Sequence, residues 1–337
     1  MDIAAILISL GALFALGLAA ETLGRTTRIP HVTLLLLCGL AIGPGGLNLL
    51  PPVISNAFEL LSIVALTMVA FLLGGALTAR SIAAHGTLIL AISLCIVVAT
   101  VVLVALGLSL AGLPLPVALI LGAIATATDP AATYQTIRQA GTRGAFADTL
   151  KGIVAIDDAW ALIVFSLVMV LVRQDQNGLD PAFLIHSLRE IFLSIALGAA
   201  IGWPGAWLTG RLRKGEPVQI EALALVFLTA GLSILLGLSY LIAAMTAGAF
   251  IVNLARHHKR AFHEIEHVQS PFLIMFFILA GASLAVSELR YIGLYAALYL
   301  VLRVLARLAG GWVGAALGGA PRAQRPWFGL ALLPQAG

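Results

Sequence analysis

Five charged residues fall inside stretches of this chain that are otherwise apolar. They are Asp129 in ALILGAIATATDPAAT, Asp157 and Asp158 in KGIVAIDDAWALIVF, and Arg303 and Arg307 in LYLVLRVLARLAGG. Charges at such depth are costly and mark an ion pathway. A carboxylate held there is expensive to leave bare, and either a proton or a cation can neutralise it. Competition between the two for one carboxylate is the chemistry these residues could do. Three acids against two arginines leave a formal charge of −1, which one Na+ or one H+ would cancel. Hydroxyl and backbone oxygens suit a hard cation, and Thr126 or Thr128 could complete its shell.

Long apolar segments must position these groups. Of 337 residues, 61% are hydrophobic and 10% charged, against about 25% charged in soluble domains. Runs long enough to cross a hydrocarbon layer of roughly 30 Å are predicted at 3 to 20, 31 to 50, 57 to 79, 86 to 112, 115 to 138, 146 to 172, 185 to 208, 219 to 236, 238 to 256, 270 to 287 and 291 to 319, with a twelfth from Pro326. Met1 and Asp2 lead straight into the first run with no basic segment before it, which predicts a retained helix, not a signal peptide. The five charges lie near the middle of their spans. At roughly 1.5 Å of rise per residue they share one layer and form one polar cluster.

Loops that follow odd-numbered spans hold Arg25, Arg28, Arg80, Arg138, Arg143, Lys151, Arg211, Arg213, Lys214, Arg256, Lys259, Arg260, Arg322 and Arg325, whereas even loops and their flanks hold Arg173, Arg189 and Arg290. This asymmetry puts the odd loops in the cytoplasm and the N-terminus outside, in a membrane expected to be the bacterial inner membrane. It also explains the formal net charge of +4 without nucleic acid as a partner. Cys38 and Cys95 lie on separate spans and suggest neither a disulfide nor a metal.

Pro130 removes a backbone donor and disfavours helix at Asp129, so the fifth span is expected to break there, with Asp129 offsetting a half-helix N-terminus. A proline kink with a capping Asp is the plainer alternative. The twelfth span, RPWFGLALLPQAG, is again a short apolar half followed by Pro334. Interrupted segments seven spans apart, and so oppositely directed, point to an inverted-repeat transporter. On that scheme a thirteenth span would mirror the sixth.

The order and spacing of several motifs carry a resemblance. RIPHVTLLLLCGLAIGPGGL, FLLGGAL, TATDPAAT, GIVAIDDAWALIVFS, SYLIAAMTAGAFIVN, PFLIMFFILAGASL, LARLAGGWVGA and ALLPQAG together resemble the monovalent cation/proton antiporter superfamily, which includes the sodium/proton exchangers. The resemblance implies an all-α polytopic fold with two crossed discontinuous helices. It implies scaffold and dimerisation spans in 1–80 and 219–288, core ion-transport spans in 86–172 and 291–337, a linker span at 185–208, and a homodimer. Na+, K+ or Li+ and H+ would be the transported ions, with no cofactor.

The electroneutral branch typically has GESLLND, whereas residues 152–158 here read GIVAIDD, which resembles the electrogenic, double-aspartate branch. Residue by residue, Asp158 resembles the ion-binding carboxylate, Asp157 the acid that pairs with a cation of the eleventh span, and Arg307 that cation. The chain departs at Arg307, where that branch often has lysine. A buried Lys can release its proton and Arg cannot, so the second proton of an electrogenic cycle has no evident carrier. Arg303, one turn earlier, fits a structural or a functional role equally.

HEIEH at His263 to His267 matches the zinc-protease pattern, with Glu288 as a formal third ligand. The expected topology puts Glu288 across the membrane, so no transition-metal site is expected. His257, His258, His263 and His267 lie in what reads as a solvated basic loop and could sense cytoplasmic pH. Paired acids also occur in membrane enzymes, as in DDxxD, but DD is followed here by AWALIV. A solute symporter or an ion channel of similar inverted-repeat fold is the nearer alternative.

Overall fold

The computed structural model describes residues 3–27, 30–51, 53–54, 57–177, 182–209, 218–255, 259–284 and 286–335, and a few side chains within helices, Asp158 among them, lie outside that description. Among the described residues there are thirteen α-helices and no strand. They are α1 (Ile3–Thr27), α2 (His31–Ile42), α3 (Phe58–Gly74), α4 (Ala79–Leu110), α5 (Leu115–Ile124), α6 (Pro130–Gln139), α7 (Ala145–Asn177), α8 (Ala182–Thr209), α9 (Val218–Leu235), α10 (Tyr240–Leu254), α11 (Lys259–Ala282), α12 (Val286–Leu317) and α13 (Arg325–Ala331).

Six helices among the described residues are long and apolar enough to cross a membrane, and five shorter apolar ones run 10–17 residues. Large side chains stand at the surface, with Leu110 89% and Leu294 81% exposed. So much outward apolar surface suits a lipid solvent and not water.

Local chemistry sets where helices stop. The expected second span of 31 to 50 is a helix only to Ile42, because Gly43 and Pro44 turn the chain and the Gly46 N–H bonds to the Gly43 carbonyl. The expected loop around HEIEH is instead helical, since α11 begins at Lys259. Ile265, Leu273 and Phe277 are buried along one face of it, so the helix is amphipathic at this end, and apolar run length misses such a segment.

Two groups of helices pack more within themselves than with each other: α4, α5, α7, α12 and α13, and α2, α3, α9, α10 and α11, with α8 resting mainly on α10. The contact between α4 and α12 is backbone to backbone. A Cβ added at Gly310 would stand 2.8 Å from the Cys95 carbonyl oxygen, and one at Gly314 would stand 2.5 Å from Ile92 Cα. Small residues at four-residue spacing permit this approach between membrane helices. At the α12–α13 crossing, a Cβ on Gly329 would lie 2.5 Å from the Arg307 carbonyl oxygen.

Candidate functional site

The helical run that starts at Leu115 stops at Ile124, and helix resumes at Pro130. Asp129 is extended (φ −72°, ψ 110°), and its side chain accepts from the N–H groups of Ala131 and Ala132 at 2.8 and 3.1 Å. Proline at the first helical position needs no N–H partner, and Asp caps the next donors. Asp129 is thus the N-cap of α6.

The stretch between α5 and α6 leaves the carbonyls of Ala125, Thr126 and Ala127 without helical partners, and arginines from α12 take them. Arg307 Nη2 donates to the oxygens of Thr126 (2.5 Å), Ala127 (3.1 Å) and Ala125 (3.3 Å). Arg303 donates through Nε to the Ala125 oxygen at 3.2 Å and through Nη2 to the Ala127 oxygen at 3.3 Å. It also reaches the chain beyond α13, where Nη1 bonds to the Leu333 oxygen at 2.5 Å and Nη2 to the Pro334 oxygen at 3.4 Å. The two segments are joined directly as well, since the Asp129 N–H donates to the Pro334 oxygen at 3.1 Å.

Asp157, on α7, is 1% exposed and Arg307 is 0% exposed. Arg307 Nη1 stands 3.6 Å from Asp157 Oδ2, too far for a direct hydrogen bond. The Thr128 hydroxyl fills the gap: it accepts from Arg307 Nη1 at 2.8 Å and donates to Asp157 Oδ2. The other oxygen, Oδ1, accepts from Ser93 Oγ of α4 at 3.0 Å. Ser93 was not singled out in the sequence, where it is one hydroxyl in an apolar run with no distinguishing spacing.

The structure thus brings Asp157, Thr128, Arg303 and Arg307 together, with Asp129 adjoining Thr128. The Thr126 hydroxyl turns back to the Ala123 oxygen. Asp158 is the next residue of α7, and its side chain lies outside the described residues. One turn further along α7, Ala161 and Leu162 line a cavity of about 500 Å³ that also touches Ala127 and Glu190.

Of the histidines, His257 and His258 lie outside the described residues. His263 and His267 are exposed on α11 with their Nε2 atoms 3.0 Å apart. Among the described residues no three of His, Cys, Asp and Glu converge on a point that could hold a metal. Nearby, Glu266 pairs with Arg138 of α6 at 3.6 Å.

Residues 9–336 match the family described as sodium/hydrogen exchanger, transmembrane. The chain belongs to this family. Within the family, it is 29% identical over 143 residues to the Na(+)/H(+) antiporter NhaP of Pseudomonas aeruginosa, covering 42% of this chain and 33% of that protein. It is 28% identical over 213 residues to the Na(+)/H(+)-K(+) antiporter GerN of Bacillus cereus, covering 60% of this chain and 52% of that protein. The chain therefore spans about half or less of the length of these relatives. The fold is that of the sodium proton antiporter MjNhaP1 of Methanocaldococcus jannaschii, with a TM-score of 0.74, 21% identity, and 99% of this chain and 85% of that chain covered. Family membership together with the apolar helices makes this an integral membrane protein.

Proposed function

We propose that this chain exchanges Na+ or another monovalent cation for H+ across a membrane, with Asp158 as the carboxylate both ions share. One observation carries the assignment among the three acids. Asp129 is committed to the first N–H groups of α6, and both oxygens of Asp157 are committed to Ser93, Thr128 and the neighbouring Arg307. Two resident carboxylates and two resident guanidinium groups leave the third carboxylate for exchange. The carboxylate can hold a proton or a cation but is costly to leave bare, so loading one ion requires releasing the other.

On this reading α5 and α6 are halves of one discontinuous helix, α13 begins a second that crosses it, and access alternates as the core around α4, α5, α7, α12 and α13 moves against a dimeric scaffold. The N-terminus is outside, in a bacterial inner membrane. Arg307 cannot release a proton, which supports exchange near one ion for one. The antiporter names of the relatives support Na+ or K+ as the cation.

Purified protein in proteoliposomes with an imposed pH gradient tests this. Addition of Na+ should dissipate the gradient, and labelled Na+ should move opposite to H+. Asp158→Asn should abolish both while leaving the thermal unfolding profile in place. Dissipation by that variant would remove Asp158 from the role. Na+ flux without proton counter-flow would indicate a channel, and flux of both ions in one direction a symporter.

A further inference from the structure

Arg303 is not needed to balance Asp157, since Arg307 already does so. Its guanidinium instead reaches four backbone carbonyls, two at the interruption after α5 (Ala125, Ala127) and two beyond α13 (Leu333, Pro334). Carbonyl oxygens freed where a helix stops, in a setting that water does not reach, are the ligands that hard monovalent cations use in membrane proteins. Here Arg303, 4% exposed, holds them, sharing the Ala125 and Ala127 oxygens with Arg307 and the Pro334 oxygen with the Asp129 N–H.

We propose that Arg303 is a resident cation of the ion site. It positions the two interrupted segments against each other and occupies the carbonyl oxygens that would otherwise hold a second monovalent cation, so that one cation is carried per cycle. A planar guanidinium offers five donors in a fixed fork and keeps its charge at every accessible pH, so its occupancy does not vary through the cycle. The charge balance agrees. With Arg303 present, three aspartates and two arginines sum to a formal −1, and without it the sum is −2, which one transported cation no longer neutralises.

This inference rests on the exchange reading above, and the measurement separates the two. Equilibrium binding of labelled Na+ to purified protein gives ions per chain, and the Na+ dependence of proton flux in proteoliposomes gives the cooperativity. Wild type should bind one Na+ per chain with a hyperbolic dependence. R303Q, which removes the charge, should bind two, with a Hill coefficient rising toward about 2. R303K keeps the charge but not the fork, and should retain one ion and a hyperbolic dependence while turning over more slowly. A purely structural role for Arg303 would slow both variants and leave ion number unchanged. One bound Na+ in both wild type and R303Q overturns the inference while leaving exchange intact. Should R303Q fail to fold, wild type alone decides: two Na+ per chain overturns the inference, and one supports it. An absence of Na+ binding and exchange in wild type overturns both readings.

Discussion

The Thr128 hydroxyl stands between Arg307 Nη1 and Asp157 Oδ2, accepting from the first and donating to the second, so the buried ion pair at 3.6 Å is bridged and not direct. The arrangement ties α7, α12 and the non-helical stretch before Pro130 into one unit, and its energetics are open to a mutant cycle. Removing one partner of a buried pair strands the other at a cost of about 3 to 5 kcal/mol. Arg307→Ala should therefore unfold at markedly lower temperature. Asp157→Asn with Arg307→Ala should cost less than the two single changes summed. Additive losses across the four proteins, measured by thermal unfolding in detergent, would show that the residues are not coupled.

Thr128→Val removes the bridge while keeping the shape. It deletes a donor to Asp157 and an acceptor from Arg307 together, whereas Ser93→Ala deletes only a donor. A hydrogen bond to a charged group contributes about 1.5 to 3 kcal/mol. Ser93→Ala should fall within that range, and Thr128→Val should exceed it. Equal losses in denaturant titrations would count against the bridging role.

Much of this site is legible in the amino-acid order, and the reasons differ by residue. Asp129, Asp157, Arg303 and Arg307 stand out because ionisable groups in apolar runs are rare and costly. Pro130 marks the break ahead of α6, because a proline constrains the residue before it, whereas the stop of α5 at Ile124, five residues before Asp129, has no such mark. Ser93 carries no such signal, since a lone hydroxyl is common in membrane helices. The carbonyls of Leu333 and Pro334 are invisible in principle, because every residue has one and only the fold decides which are left without a partner. The helical state of HEIEH is hidden for another reason: residues 263–267 are mostly polar, and the buried Ile265 alone among them continues the helical period of the apolar run that follows.

Close backbone contact at Gly329 leads to a steric prediction. A Cβ there would press on the Arg307 carbonyl, and overpacking of this kind costs about 1 to 3 kcal/mol. Gly231, in α9, has nothing within 4 Å of a built Cβ, and there alanine should stabilise by about 1 kcal/mol through helix propensity. Opposite shifts in melting temperature for Gly329→Ala and Gly231→Ala would bear this out, and a shift of the same sign would refute it.

The proposed orientation follows from the distribution of basic residues. In a background of Cys38→Ser and Cys95→Ser, a cysteine replacing Glu264 should react with an impermeant thiol reagent only from the cytoplasmic side. One replacing Asn177 should react only from outside. The reverse pattern would invert the topology.

Exchange near one ion for one has an electrical signature. Under a fixed Na+ gradient and no pH gradient, proteoliposomes should generate almost no current, and an imposed voltage should leave the rate unchanged. A reversal potential corresponding to two protons per cation would contradict the permanent charge of Arg307 and Arg303.

The bond from the Asp129 N–H to the Pro334 oxygen involves no side chain. Substitution at position 334 leaves its acceptor in place, and at position 129 only proline would delete the donor. A lineage carrying this chain can therefore alter the charge and size of the side chains around the buried arginines, while the join between the two backbone segments is inherited intact.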